Sequence, residues 1–163
     1  SILEIGFGRG YATLCMAKAL CDHGIEGKIT TVDPNLDENF INALTQIFPR
    51  EWFDKINFVK STSVEFYEKH TDNIFDFIYI DGDHGYEGVK SDWEYAKNHF
   101  AKNVLFDDYH LPSKVEKDIE CAKLIDEIND FKKELIIMDR RIFFDDRRIE
   151  DNDIDYGQVL IEK

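Results

Sequence analysis

Ile2-Leu3-Glu4-Ile5-Gly6-Phe7-Gly8-Arg9-Gly10 opens with four residues, apolar but for Glu4, that run straight into three glycines at alternate positions. The first four residues predict a short buried strand. Gly6, Gly8 and Gly10 permit a tight turn and a close approach of the backbone to a ligand. A helix is predicted over Tyr11–His23, stopped by Gly24, and its free N–H groups point into the space the glycines open. A second, β-branched strand follows over Lys28–Asp33, closed by Pro34. In doubly wound folds an acidic residue at that place, roughly 20 residues beyond the glycines, accepts hydrogen bonds from ribose hydroxyls. The glycine turn and Asp33 together predict a site for a nucleoside-bearing cofactor.

Further along, strands and helices alternate. Glu38–Phe48 reads as a helix with Phe40, Ile41, Leu44, Ile47 and Phe48 on one side, ended by Pro49. Strands are predicted at Ile56–Lys60 and Ile74–Ile80, with a helix capped by Ser63 running to Lys69 between them. A helix over Tyr86–Phe100 carries Val89, Trp93 and Ala96 at helical spacing. A fifth strand, Asn103–Phe106, ends in Asp107-Asp108, and another helix begins at Ser113. Two last strands, Leu135–Met138 and Gln158–Ile161, are joined by a charged connection, Asp145–Tyr156, which reads as a solvated loop or a lid. Alternating strands and helices predict an α/β fold: a doubly wound, mostly parallel seven-stranded sheet with helices on both faces and a terminal hairpin.

The second informative stretch is Tyr79–Gly88, YIDGDHGYEG. A hydrophobic strand here delivers two carboxylates and an imidazole at its tip. Asp-Gly-Asp is good turn chemistry in itself. If the fourth and fifth strands are neighbours, however, Asp81 and Asp107-Asp108 meet at the carboxyl edge of the sheet, where doubly wound proteins bind ligands. Three carboxylates so placed repel one another unless a cation neutralises them. All-oxygen ligation suits Mg²⁺, with Mn²⁺ or Ca²⁺ as alternatives. Successive strand residues point to opposite faces, so Asp107 and Asp108 share one ion only where the strand ends or bends.

At 163 residues, 43% of them hydrophobic, the chain reads as a single domain, 1–163, with a substantial core. Its 34 acidic against 20 basic residues, formal net charge −14, disfavour a phosphate backbone or an anionic membrane as partner. No run reaches the length of a transmembrane helix and no signal peptide is visible. Three cysteines, an odd count without metal-ligand spacing, suit free thiols in a reducing cytoplasm. The chain opens directly in a strand at Ser1, so native N-terminal elements are expected to precede it.

Glu4-Ile5-Gly6-Phe7-Gly8-Arg9-Gly10 and Thr31-Val32-Asp33-Pro34 resemble the first two motifs of the class I S-adenosylmethionine-dependent methyltransferases, and the resemblance extends over nearly the whole chain. It implies the sheet order 3-2-1-4-5-7-6 and S-adenosylmethionine as cofactor. The implied cofactor-binding residues are Glu4, Gly6, Gly8 and Gly10, with Asp33 on the ribose. Ser61, Thr62 and Ser63, and Gly82 and Asp83, stand at the adenine-contacting positions. Many members carry helices before the first strand that are missing here.

A narrower resemblance is to the metal-dependent O-methyltransferases of the catechol and macrolide-sugar types, carried by IDGDHGYEGVKSDWEYA and VLFDDYH. It implies that Asp81, Asp107 and Asp108 hold the metal and that His84 is the catalytic base. The implied reaction is methyl transfer to a hydroxyl of a small molecule. Two other readings compete: a metal-independent methyltransferase, N- or O-directed, and a cofactor-binding module without catalysis. His110 is a further candidate, as a substitute base or for lining the pocket. Edge pairing through the terminal hairpin is the route by which copies of the chain would form a homo-oligomer.

Overall fold

A computed structural model describes residues 1–109, 120–137 and 157–163. The strands are β1 (Ile2–Ile5), β2 (Ile29–Val32), β3 (Ile56–Val59), β4 (Phe75–Ile80), β5 (Phe100–Tyr109), β6 (Lys132–Ile137) and β7 (Gly157–Glu162). The helices are α1 (Tyr11–Asp22), α2 (Glu38–Thr45), α3 (Arg50–Phe53), α4 (Ser63–Lys69), α5 (Tyr86–His99) and α6 (Cys121–Glu127). The seven strands form one sheet in the order 3-2-1-4-5-7-6, as expected. β1 to β5 pair in parallel, and β7 lies antiparallel between β5 and β6.

The central strands are apolar because helices cover both faces. Leu3, Ile29, Val104 and Ile161 are wholly buried. One large apolar cluster joins β4 and β5 to α5 and α6 through Trp93, Phe100, Phe106 and Ile125. A second gathers Phe7, Leu14, Leu36, Leu44 and Phe53 under the first helices. Among the described residues no helix is long and apolar enough to cross a membrane.

Local chemistry moves several boundaries. The helix expected over Glu38–Phe48 stops at Thr45, and a separate turn of helix, α3, follows Pro49. A proline suits the entry of a helix because its missing N–H would be an unpaired donor there anyway. Thr62, not Ser63, caps α4: its hydroxyl accepts from Glu65 N at 3.2 Å while the Glu65 carboxylate accepts from Thr62 N. The pattern Thr-x-x-Glu is the capping box that places this start. β5 runs on through Asp107 and Asp108 to Tyr109 rather than stopping at Phe106. The expected helix from Ser113 is described only from Cys121 onward. Ser113–Ile119, His110 and the charged connection Asp145–Tyr156 lie outside the described residues, as does Met138 at the end of the sixth strand.

Candidate active site

The glycine turn is built by steric necessity at two of its residues. Gly6 has φ +94°, and a Cβ there would stand 1.9 Å from the backbone oxygen of Asp81. Only glycine lets the tips of β1 and β4 come this close. Gly10, at φ +75°, precedes α1, and a Cβ would meet the Phe7 ring at 2.6 Å. Asp33 closes the turn from the neighbouring strand. Its Oδ2 accepts from Phe7 N at 3.0 Å and Gly8 N at 3.2 Å, and its Oδ1 accepts from Asn35 N at 2.7 Å.

A cavity of about 590 Å³ opens beside this turn. Gly6, Gly8, Asp33, Thr62, Ser63, Gly82 and Asp83, all expected to bind cofactor, line it, and so do Asp81 and His84. Its size is that of a small-molecule site. Three expected contacts stand elsewhere. Gly10 lies behind the Phe7 ring. Ser61 turns its hydroxyl to Glu65 Oε2 at 3.2 Å. Glu4 is wholly buried beneath the turn, where Thr13 Oγ1 donates to its carboxylate. Burial, with smaller contributions from the charges of Asp81 and Asp33, pushes the Glu4 carboxyl up to about 7. Asn35 and Pro34, which also line the cavity, follow Asp33 directly and could have been found by reading one step past the strand.

Beside the cavity the acidic residues meet as the strand order requires. Ile80 pairs with Phe106 across β4 and β5, so Asp81 and Asp107 follow at the same sheet edge. The bend needed to turn successive aspartates is present. Asp108 has φ +54°, the one positive value among described non-glycine residues, and the pairing with β7 shifts between Phe106 and Tyr109. Asp residues tolerate this left-handed conformation better than most.

The bend separates the two side chains. Asp108 Oδ2 reaches His84 Nδ1 at 3.0 Å, and Asp81 Oδ1 lies 3.6 Å from Nε2 of the same ring. Asp107 instead accepts from Tyr79 Oη at 2.6 Å and from Gln158 Nε2 at 3.1 Å. Asp81, His84 and Asp108 each offer a donor atom within 4.8 Å of the others. Donors around one octahedral ion with bonds of about 2.1 Å stand about 3 Å apart when adjacent and about 4.2 Å when opposite. The donor set, two carboxylates with an imidazole beside them, is of the chemical kind that holds a divalent cation.

Electrostatics follow from this crowding. Burial raises the Asp81 pKa, the Asp107 and Asp108 charges add to it, and the contact with His84 opposes it. His84 is raised in turn, first by Asp81 and then by the Asp108 charge, against the opposing effect of burial. An imidazole with a carboxylate at each nitrogen is better satisfied as the cation, since both nitrogens then donate. Its backbone is pinned too: the His84 carbonyl accepts from Glu120 N at 2.8 Å, at the start of α6. Cys121 lines the same acidic cleft, and burial pushes its thiol up to about 12. Tyr79, Gln158 and Glu120 were not singled out by sequence. Tyr79 stands two residues before Asp81 on a strand, hence on the same face, which is a usable signal. Gln158 and Glu120 come from distant segments and carry none.

Residues 3–109 match the model of a family described as "Methyltransferase domain". No curated protein matches the chain. Among solved structures, it is similar to a Klebsiella pneumoniae protein named provisionally as an O-methyltransferase, at TM-score 0.68 and 15% identity over 99% of this chain and 71% of the other. The O-methyltransferase TomG of Streptomyces achromogenes, solved with S-adenosylmethionine, gives 0.67 and 13% over 99% and 72%. A Bacillus cereus O-methyltransferase with S-adenosylhomocysteine gives 0.63 and 18% over 99% and 73%.

Proposed function

This chain belongs to the methyltransferase-domain family, and from that premise we propose that it moves a methyl group from S-adenosylmethionine to a hydroxyl of a small molecule, with a divalent cation. The observation that carries the reading is that one cavity is lined both by the glycine turn with Asp33 and by Asp81 with His84. Cofactor and acceptor chemistry would thus share a single cavity. The O-methyltransferases among the similar structures support the direction of transfer.

In this reading the turn at Gly6 and Gly8 admits the cofactor's backbone-facing edge, and Asp33 binds its ribose hydroxyls. Thr62, Ser63, Gly82 and Asp83 form the wall against the base. Asp81 and Asp108 would hold the cation, and Asp107 would add negative charge near it from its place between Tyr79 and Gln158. Bound there, a divalent cation supplies Lewis acidity that lowers the pKa of an acceptor hydroxyl. His84 takes the hydroxyl proton, which requires the neutral imidazole. The acceptor oxygen bonds the methyl carbon as the carbon–sulfur bond breaks, leaving S-adenosylhomocysteine. Sulfonium and oxyanion charges cancel along this path, so orientation by the cavity walls matters more than added charge.

The deciding experiment is calorimetry. S-adenosylhomocysteine, then Mg²⁺ or Mn²⁺, is titrated into wild type and an Asp81→Asn/Asp108→Asn double variant. Micromolar nucleoside binding, with an ion site that the double variant loses, supports the proposal. Nucleoside binding with no ion site in wild type removes the cation from it. A folded chain that binds no nucleoside refutes it altogether.

A further inference from the structure

Gly88 is the third residue of α5, inside the helix rather than at its cap. A glycine there is less favourable than alanine, because it has more backbone freedom to lose. Its surroundings supply a reason for it. A Cβ at Gly88 would stand 2.5 Å from both Cβ and Cγ of Asp83 and 2.6 Å from its Oδ2. The Asp83 side chain thus rests on the bare backbone of Gly88. Its Oδ1 accepts from Gly85 N at 2.9 Å, at the start of the same helix, where a carboxylate is electrostatically favoured. Asp83 is also one of the residues that line the cavity.

The helix is the fixed partner in this contact. Val89 and Trp93, 1% and 5% exposed, hold α5 in the apolar core. The loop before it is tied at its start, where Asp81 N donates to the Ile5 carbonyl at 2.8 Å. Asp83 itself is exposed, so it is the residue that yields to any side chain placed at Gly88. Rotation about χ1 carries its Cγ and Oδ2 away but leaves its Cβ in place, so the Asp83 backbone has to shift as well. The wall of the cavity moves with it.

We infer that Gly88 is a positioning residue for cofactor binding: by lacking a side chain it seats Asp83 against α5 and so sets the wall on which the cofactor's base lies. This rests on the S-adenosylmethionine reading above. Gly88 acts only through Asp83, and its effect is on cofactor affinity.

The test is a double-mutant cycle in S-adenosylhomocysteine affinity, measured by calorimetry, with urea midpoints taken on the same proteins. Gly88→Ala weakens binding about tenfold, the worth of one hydrogen bond to a charged group. Its urea midpoint holds or rises, since alanine suits a helix. Asp83→Gly removes both the carboxylate and the Cβ that the new methyl group would meet, and it weakens binding by a similar factor. The combined variant, Asp83→Gly with Gly88→Ala, binds no more weakly than Asp83→Gly, because the two residues act as one unit. Should Gly88→Ala alone not fold, the combined variant still folds and still matches Asp83→Gly; its failure to fold as well overturns the inference. Binding that either single variant leaves unchanged, or losses that simply multiply, overturns this inference alone. A lowered midpoint with unchanged affinity does the same, since it marks a purely structural role. Wild type that binds no S-adenosylhomocysteine overturns the cofactor reading and this inference with it.

Discussion

Replacing Glu4 by glutamine should make the protein more stable, and only above mildly acidic pH. Glu4 is wholly buried under the glycine turn, and its carboxyl is raised from 4.5 to about 7. Folding therefore holds a proton that the unfolded chain releases between those two values. The stability tied to that proton is complete below pH 4.5, falls as pH rises, and is lost above about pH 7. A rise of this size corresponds to ~3 kcal/mol. A glutamine side chain has no charge to desolvate, and its carbonyl still accepts from the Thr13 hydroxyl that donates to Glu4. The difference between Glu4→Gln and wild type should thus grow from near zero at about pH 4.5 to ~3 kcal/mol at about pH 8. With a urea m-value of about 2 kcal/mol/M for a domain of this size, the midpoint shifts by about 1.5 M. Urea unfolding at a series of pH values across this range checks it. Asp92 is also raised, but both proteins carry it, so its contribution cancels in the difference; Asp81, raised too, differs between them only by its small mutual repulsion with Glu4. A midpoint difference that stays constant across the range would refute the argument that burial of the Glu4 charge is the cause.

Other expectations concern the two halves of the site. Gly6→Ala should cost at least ~3 kcal/mol in urea unfolding or prevent folding, because its Cβ would fall 1.9 Å from the Asp81 carbonyl oxygen at a positive φ; a near-neutral variant would mean that the two strand tips separate freely. Asp81→Asn should lower the His84 pKa toward its ordinary value, since Asp81 is the largest cause of its rise; imidazole ¹⁵N shifts followed against pH test this, and an unmoved titration would contradict the pairing. Thr62→Ala should destabilise α4 by ~1 kcal/mol through loss of the capping box, measured by urea unfolding, with no more than a small change expected if Glu65 N finds water instead.

Much of this molecule follows from local pattern. Apolar runs such as Phe75–Ile80, punctuated by glycine and proline, dictate strands because each must be buried on both faces. The alternation with helices and the terminal pair of strands then leave few ways to build the sheet, and the order 3-2-1-4-5-7-6 is as the motifs imply. Gly6 and Asp33 are legible for the same reason: their roles depend on backbone conformation and on the end of a strand, both local. Asp81, Asp107 and Asp108 are legible as neighbours because strand order alone sets them at one edge. Only tertiary structure decides which way each side chain turns. The left-handed bend at Asp108 sends it to His84 while Asp107 goes to Tyr79 and Gln158, and no spacing in the chain foretells that partition. Burial decided the rest. Glu4 and Asp92 read as ordinary acids along the chain, yet packing from segments far away in sequence removes water from both, and desolvation makes one carboxyl titrate near 7 and the other near 6.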